Sequence, residues 1–126
     1  MKPMRITLVG LAMAAILAAC GSTSASQPAA DPADADVTIT SVDMEFEQTT
    51  VTVAAGEAFT MALVNEDSMP HNVAIYTDSS ASDELFIGEY VTDGVIVYDI
   101  PALEPGEYFF RCDLHPDMVG TLIVEG

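Results

Sequence analysis

The sequence has few cations, few cysteines and no apolar segment long enough to cross a membrane. Its 126 residues include three basic side chains against twenty acidic ones, a formal net charge of −17. Such a charge repels nucleic acids and anionic lipid headgroups, so nucleic-acid binding is excluded as a function. The acidity fits either docking to basic partners or solubility in a salty habitat, and the sequence leaves both open.

The first residues have the pattern of an export signal. Two cations precede a mostly apolar run at residues 6–19, which falls short of the roughly 20 residues that span a bilayer. The run ends in Ala18-Ala19-Cys20-Gly21, which resembles a bacterial lipobox, where cleavage leaves a lipidated Cys20 as the first residue. The alternative is an ordinary secretory signal cut near Ala19, with Cys20 a spare thiol. We predict a signal peptide at residues 1–19.

The scarcity of cysteine limits the covalent chemistry. Only Cys20 and Cys112 are present, and lipidation of Cys20 would rule out a disulfide between them. Cys112 would then be a lone thiol outside the cytoplasm, where an unprotected thiol is prone to oxidation unless it is buried or bound to a metal. Metal ligation would explain its presence.

The mature chain divides into a linker and a domain. Residues 21–36 contain only small, polar, acidic and proline residues, which cannot bury enough apolar area to offset the entropy cost of ordering. We therefore predict a lipid-attachment cysteine and a disordered linker at residues 20–36. The remaining residues 37–126 suffice for one compact domain.

Apolar residues in this domain recur mostly with a period of two, which indicates half-buried strands. The alternation slips between Ile39 and Phe46, as a bulge in an edge strand would produce. Asp93-Gly94 predicts a hairpin between strands at 86–91 and 95–100, and residues 82–85 have the composition of a short helical turn. Seven or eight short strands predict an all-β, single-domain, Greek-key β-sandwich.

Four side chains have the identity and spacing of metal ligands: His71, Cys112, His115 and Met118. The last three share one seven-residue segment after a predicted strand, whereas His71 lies forty-one residues upstream of Cys112. Two imidazoles, a thiolate and a weak axial thioether are the donors of a blue-copper electron-transfer site. Each residue taken alone could be an ordinary core residue. Together they predict one type I copper ion, with zinc held by cysteine, two histidines and an aspartate as the chemical alternative.

Two segments carry a resemblance to the cupredoxin family, in its amicyanin and plastocyanin branch. They are Ser68-Met69-Pro70-His71-Asn72-Val73 and residues 106–122, which include Cys112-Asp113-Leu114-His115-Pro116-Asp117-Met118. The spacing C-x-x-H-x-x-M resembles the short ligand loop of amicyanin, whereas plastocyanin places two more residues before its methionine. The resemblance covers roughly residues 51–124 and implies a cupredoxin-like fold.

The resemblance implies a role for each ligand. His71 and His115 would supply imidazole nitrogens, Cys112 the thiolate and Met118 the long axial sulfur. Met69 lies close to His71 in the sequence and is the alternative axial ligand.

The resemblance also implies roles for residues around the ligands. Asn72 would tie the two ligand segments together beside the thiolate. His115 would reach the surface and serve as the electron port within an apolar patch of Met69, Pro70, Leu114 and Pro116. Asp113 and Asp117 on either side of His115 depart from the commoner pattern, and two carboxylates there should favour Cu(II) and lower the reduction potential.

These features predict a one-electron carrier that is not an enzyme. It would be a monomer held by its lipid to a bacterial membrane, in the periplasm or on the outer face of the cytoplasmic membrane. Its partners would be redox proteins such as cytochromes or oxidoreductases, with basic docking patches if the acidity serves docking. After signal removal Arg111 alone faces twenty acidic residues, a formal charge of −19.

A copper-binding protein for delivery or sequestration is the alternative function. The seven methionines of this chain are scattered, and three of them, Met1, Met4 and Met13, lie in the predicted signal, which argues against that role. Two histidines in the whole chain are too few for the trinuclear site of a multicopper oxidase.

Overall fold

Alternating apolar side chains build two β-sheets that face each other across one core. The computed structural model describes residues 30–126, so the predicted signal peptide and Cys20 lie outside the described residues. Nine strands occur within residues 30–126: β1 (Val37–Val42), β2 (Glu45–Phe46), β3 (Thr50–Ala54), β4 (Phe59–Asn65), β5 (Ala74–Tyr76), β6 (Glu84–Ile87), β7 (Gly94–Ile100), β8 (Gly106–Arg111) and β9 (Val119–Glu125).

The strands form a four-stranded sheet in the order β2-β1-β4-β7 and a five-stranded sheet in the order β3-β9-β8-β5-β6. The pairs β1–β4 and β3–β9 are parallel, whereas the remaining pairs are antiparallel. The predicted all-β sandwich is confirmed, with nine strands rather than seven or eight.

The core lies between the sheets and follows the period-two pattern of the sequence. Phe59, Met61 and Leu63 of β4 are buried against Phe110 of β8 and Leu122 of β9. Burying one such side chain stabilises the fold by roughly 1.5–3 kcal/mol. Cys112 and Met118 belong to this same cluster, so the predicted ligand loop is packed against the core.

A tight turn replaces the bulge predicted near Ile39. Val42 pairs with Glu45 in an antiparallel ladder, so Asp43 and Met44 form a two-residue loop. Their φ angles are 52° and 66°, as hairpin turns of the primed type require. The bulge prediction was wrong because the apolar phase shifts where the chain reverses, and neither turn residue is the glycine or asparagine that usually signals this turn.

The predicted hairpin at Asp93-Gly94 and the helical turn at residues 82–85 were also wrong. β6 lies beside β5 at the edge of the five-stranded sheet, whereas β7 pairs with β4 in the other sheet. The chain therefore crosses from one sheet to the other between Ile87 and Gly94. Phe86 and Tyr98 still meet across the core, with ring centroids 5.5 Å apart.

Ordered contacts begin before Val37. Residues Pro32–Asp34 form a 3-10 helix capped by the Asp31 side chain. The Asp36 carboxylate accepts hydrogen bonds from the backbone N–H and the hydroxyl of Thr60, at 2.7 and 2.9 Å. Within residues 30–126, no helix has the length and apolar character that a membrane crossing needs.

Candidate metal centre

His71 lies in the connection between β4 and β5 and is fully buried. Its backbone N–H and C=O pair with the backbone of Val91 at 3.0 and 2.9 Å, an isolated antiparallel bridge. Asn65, the last residue of β4, donates from its side-chain amide to the carbonyls of Met69 and Val91, at 2.8 and 2.7 Å. The connection is therefore tied to its neighbours on both sides of His71.

The segment from Cys112 to Met118 follows β8 and folds back on itself. Three backbone hydrogen bonds close the segment. The Cys112 N–H donates to the Met118 carbonyl at 3.0 Å, the His115 N–H donates to the Cys112 carbonyl at 3.2 Å, and the Met118 N–H donates to the His115 carbonyl at 2.9 Å. The side chains of Cys112 and Met118 are buried, and that of His115 is half-buried. These bonds hold the three predicted ligands in one compact loop.

The two segments bring their donors together. His71 Nδ1 lies 3.1 Å from His115 Nδ1 and 3.7 Å from Cys112 Sγ. His115 Nδ1 lies 3.6 Å from the same sulfur. Two imidazole nitrogens and a thiol sulfur thus converge, all within 4.8 Å of one another.

Asp67 contacts the other nitrogen of the His71 ring, a partner that the sequence analysis missed. Its Oδ2 lies 2.8 Å from His71 Nε2. Desolvation by burial would raise the pKa of Asp67, but hydrogen bonds from Met44, His71 and Asp43 together hold that pKa below its ordinary value. Since an ionised carboxylate only accepts, Nε2 carries the proton and Nδ1 keeps the lone pair that a metal requires.

Asn65 was missed in the same way. Its side-chain oxygen accepts from the Ser41 hydroxyl at 3.0 Å and from the Asp67 N–H at 2.8 Å. Asn65 and Asp67 lie in a polar cluster at the end of β4, and this composition predicts a loop without a specific role. The one signal for Asp67 was its position four residues before His71, close enough for its carboxylate to contact the imidazole.

Asn72 lies between the two ligand segments, fully buried. Its side-chain oxygen accepts from the Asp113 N–H at 2.9 Å, and its side-chain nitrogen donates to the Gly88 carbonyl at 2.9 Å. Both of its polar groups are therefore paired, and one of them joins the residue after His71 to the residue after Cys112.

Asp113 is compensated by a neighbouring cation. Its Oδ1 accepts from Arg111 Nε at 3.0 Å and from the Tyr76 hydroxyl at 2.7 Å. The hydrogen bond to Asp113 raises the pKa of Arg111 above its ordinary value, and the guanidinium also lies over the Tyr76 ring, 5.0 Å from its centroid. Arg111 therefore balances the charge of this carboxylate, whereas Asp117 is exposed.

The residues of the predicted apolar patch differ in exposure. Met69 and Leu114 are 48% and 51% exposed, Pro116 is exposed and Pro70 is half-buried. Met69 is thus turned largely to solvent, whereas Met118 is 2% exposed, and this burial favours Met118 over Met69 as a ligand.

The family model for the cupredoxin-like domain matches residues 10–124. The chain belongs to the cupredoxin-like family. Amicyanin from Paracoccus versutus is 36% identical over 104 residues, which cover 82% of this chain and 76% of that protein. Its crystal structure matches with a TM-score of 0.59 and 40% identity, covering 75% of this chain and 85% of that one. A variant amicyanin in its reduced Cu(I) form matches with a TM-score of 0.59 and 26% identity, covering 78% and 87%.

The donors of this cupredoxin-like chain fit one type I copper ion. Imidazole nitrogens and a thiolate are the donors that copper prefers, and carboxylates do not belong to the converging group. A structural zinc site takes four donors of the cysteine, histidine or carboxylate type, whereas the described His, Cys, Asp and Glu side chains supply three here. A buried methionine at the end of the same loop completes the set of a type I copper site.

Proposed function

We propose that the protein is a blue-copper electron carrier that works outside the cytoplasm, tethered to a bacterial membrane through Cys20. The convergence of His71, Cys112 and His115 from two distant segments supports this proposal most directly. When bound, copper supplies a Cu(I)/Cu(II) one-electron couple. In this proposal the protein itself transforms no substrate.

The protein's contribution is to hold its donors still. His71 is fixed by its bridge to Val91, and the loop from Cys112 to Met118 is fixed by its own backbone bonds. Donors that hardly move between oxidation states keep the barrier to electron transfer small. In this proposal Met118 supplies the axial thioether, and Asn72 keeps the two segments in register beside the thiolate.

His115 is the proposed port for electrons. Its ring is half-buried, while the other two donor side chains are completely buried. Leu114 and Pro116, the chain neighbours of His115, and Met69, two residues before His71, are exposed and apolar. Exposed apolar surface of this kind suits short-lived contact with a redox partner. The formal charge of −19 on the mature chain would steer basic partners such as cytochromes or oxidoreductases at low salt.

Visible spectroscopy tests the copper site. Addition of Cu(II) to the full mature chain should produce an intense thiolate-to-copper band, and Cys112→Ser should abolish it because the substitution removes the thiolate. Cys20→Ser is the matched control and should leave the band unchanged. A colourless product with the native chain, or the same colour in Cys112→Ser, would reject a type I site.

Fractionation tests the proposed anchor. The native chain expressed in a bacterium should sediment with membranes and carry the mass of a diacylglyceryl group, while Cys20→Ser should be recovered in soluble form. Equal distribution of both proteins would contradict lipid attachment and leave the copper proposal untouched.

Retention of the ion distinguishes a carrier from a delivery protein. An electron carrier should keep its copper through repeated reduction and oxidation in the presence of a Cu(I) chelator. Rapid loss of the ion to the chelator would favour delivery or sequestration. Partner reduction rates that fall steeply with ionic strength would indicate electrostatic docking, and flat rates would favour salt adaptation.

A further inference from the structure

Asp67 connects the metal centre to a turn that contributes no ligand. Its Oδ1 accepts from the Asp43 N–H at 2.9 Å, and its Oδ2 accepts from the Met44 N–H at 3.1 Å and from His71 Nε2 at 2.8 Å. One carboxylate thus receives three hydrogen bonds, two from the turn between β1 and β2 and one from the imidazole.

The turn needs this acceptor. Asp43 and Met44 both have positive φ, a conformation that is unfavourable for residues with a Cβ. Their two N–H groups point to the same side chain, so the carboxylate offsets part of the conformational cost. In return, the turn fixes the position of the carboxylate.

A fixed carboxylate in turn fixes the His71 ring. Hydrogen bonding at Nε2 sets the tautomer and the ring orientation, with Nδ1 directed towards Cys112 and His115. A carboxylate partner also makes an imidazole a stronger donor to a metal. A stronger nitrogen donor stabilises Cu(II) more than Cu(I), because the more highly charged ion gains more from donated electron density.

We propose that Asp67 is a positioning residue of the copper site, which aligns His71 through the turn at Asp43 and Met44 and selectively stabilises Cu(II). The inference rests on the proposed copper function. Asp67, which is not a ligand, would then contribute to the reduction potential. The β1–β2 turn would in the same way support the metal centre.

Two substitutions in the full mature chain separate charge from hydrogen bonding. Asp67→Asn removes the negative charge but keeps one oxygen that can accept from His71, whereas Asp67→Ala removes both. Asp36→Asn is the matched control. Asp36 is likewise a carboxylate that accepts hydrogen bonds, two of them from Thr60, but it lies beside the beginning of β4. Asp67 follows the opposite end of that strand, where the metal centre lies.

Titration with competing chelators measures the affinity for Cu(II) and Cu(I) separately. We expect Asp67→Ala to bind Cu(II) about 10- to 100-fold more weakly, the usual effect of losing an outer partner of a ligating histidine. Each tenfold loss confined to Cu(II) raises the potential of a one-electron couple by about 59 mV. Asp67→Asn should show a smaller change in the same direction, and Asp36→Asn no change.

Nitrogen-15 NMR of the diamagnetic Cu(I) protein provides a readout independent of redox activity. The native chain should show a protonated, slowly exchanging Nε2 on His71, and Asp67→Ala should lose that slow exchange. Thermal unfolding of the same variants reports whether they fold.

The outcomes distinguish the two proposals. If the native chain fails to bind copper, the proposed function fails. If it binds copper, but folded Asp67→Asn and Asp67→Ala match Asp36→Asn in affinity, potential and His71 exchange, then Asp67 has no positioning role. If Asp67→Ala does not fold, the Asp67→Asn potential decides alone, and a value equal to that of the control overturns the inference.

Discussion

The two segments that supply the ligands are held in different ways. The cysteine loop, residues 112–118, is closed by three backbone hydrogen bonds among its own residues. The histidine segment, residues 65–72, receives most of its support from distant parts of the chain: Ser41, Asp43, Met44, Gly88, Val91 and Asp113. One ligand group is therefore a local structure, whereas the other exists only when both sheets have assembled.

The two segments should therefore respond differently to substitutions that disturb their supports. The cysteine loop depends on the β8–β9 hairpin that carries it, so damage to that hairpin should disrupt three ligands together. The histidine segment has several separate supports, so the loss of one should weaken it by a limited amount.

The largest effect should come from crowding the β8–β9 hairpin. Gly120 pairs with Phe110, and a Cβ at Gly120 would overlap the buried Phe110 ring. Gly120→Ala should lower the free energy of unfolding by about 3 kcal/mol, the upper end of the usual cost of overpacking a core. Denaturant unfolding of the full mature chain measures this change, and the variant should also lose copper affinity.

Gly106→Ala is the control for this prediction. Gly106 lies in the same hairpin, but an added Cβ would meet only the Tyr108 ring at ordinary contact distances of 3.8–3.9 Å. We expect a change within about 0.5 kcal/mol, as for most surface substitutions. Equal losses in the two variants would show that the steric argument at Phe110 is wrong.

A smaller effect should follow from cutting the link between the two segments. Asn72→Ala leaves the Asp113 N–H and the Gly88 carbonyl without their partner. An unsatisfied buried group costs about 1–3 kcal/mol, so we expect a loss of about 2 kcal/mol in the free energy of unfolding. Ser80→Ala removes a solvent-exposed hydrogen bond and should change little. An unchanged free energy of unfolding in Asn72→Ala would mean that the two segments hold their register without this link.

The smallest effect should come from Asp36, which supports neither ligand segment. The backbone hydrogen bond from Thr60, and then that of the Thr60 hydroxyl, lower the pKa of Asp36 from its ordinary value. A group whose pKa is lower in the folded state adds stability above its unfolded pKa, about 3.9 for aspartate, and that stability is lost as the pH falls through the folded value. Asp36→Asn should therefore unfold more easily than the native chain at pH 7.

Thermal melts across the acid range check this sign. The two melting curves should converge as the pH falls through the folded-state pKa of Asp36, because the carboxyl is then protonated in both states. A gap that stays constant as the pH falls from 7 through the acid range would show that the carboxylate charge is not the source of the difference.

Much of the sandwich could be predicted because its strands follow a simple alternation. β3 and β9 bury every second residue, with Val51 and Val53 of β3 and Leu122 and Val124 of β9 inside. The turn at Asp43-Met44 and the pairing of β6 with β5 were missed, because both depend on which strand lies next to the segment. A pattern of apolar residues records which side of a strand is buried, but it does not record the neighbouring strand.

The sequence by itself determined the chemistry of the donors and the compact spacing of Cys112, His115 and Met118, because residues this close in a chain must remain near one another in any fold. Only the tertiary structure decided that His71 meets them and that Asp67 holds its ring. These contacts join chain segments separated by 41 residues at His71 and Cys112 and by 23 at Met44 and Asp67. Their formation depends on the register of paired strands, which the local sequence does not specify.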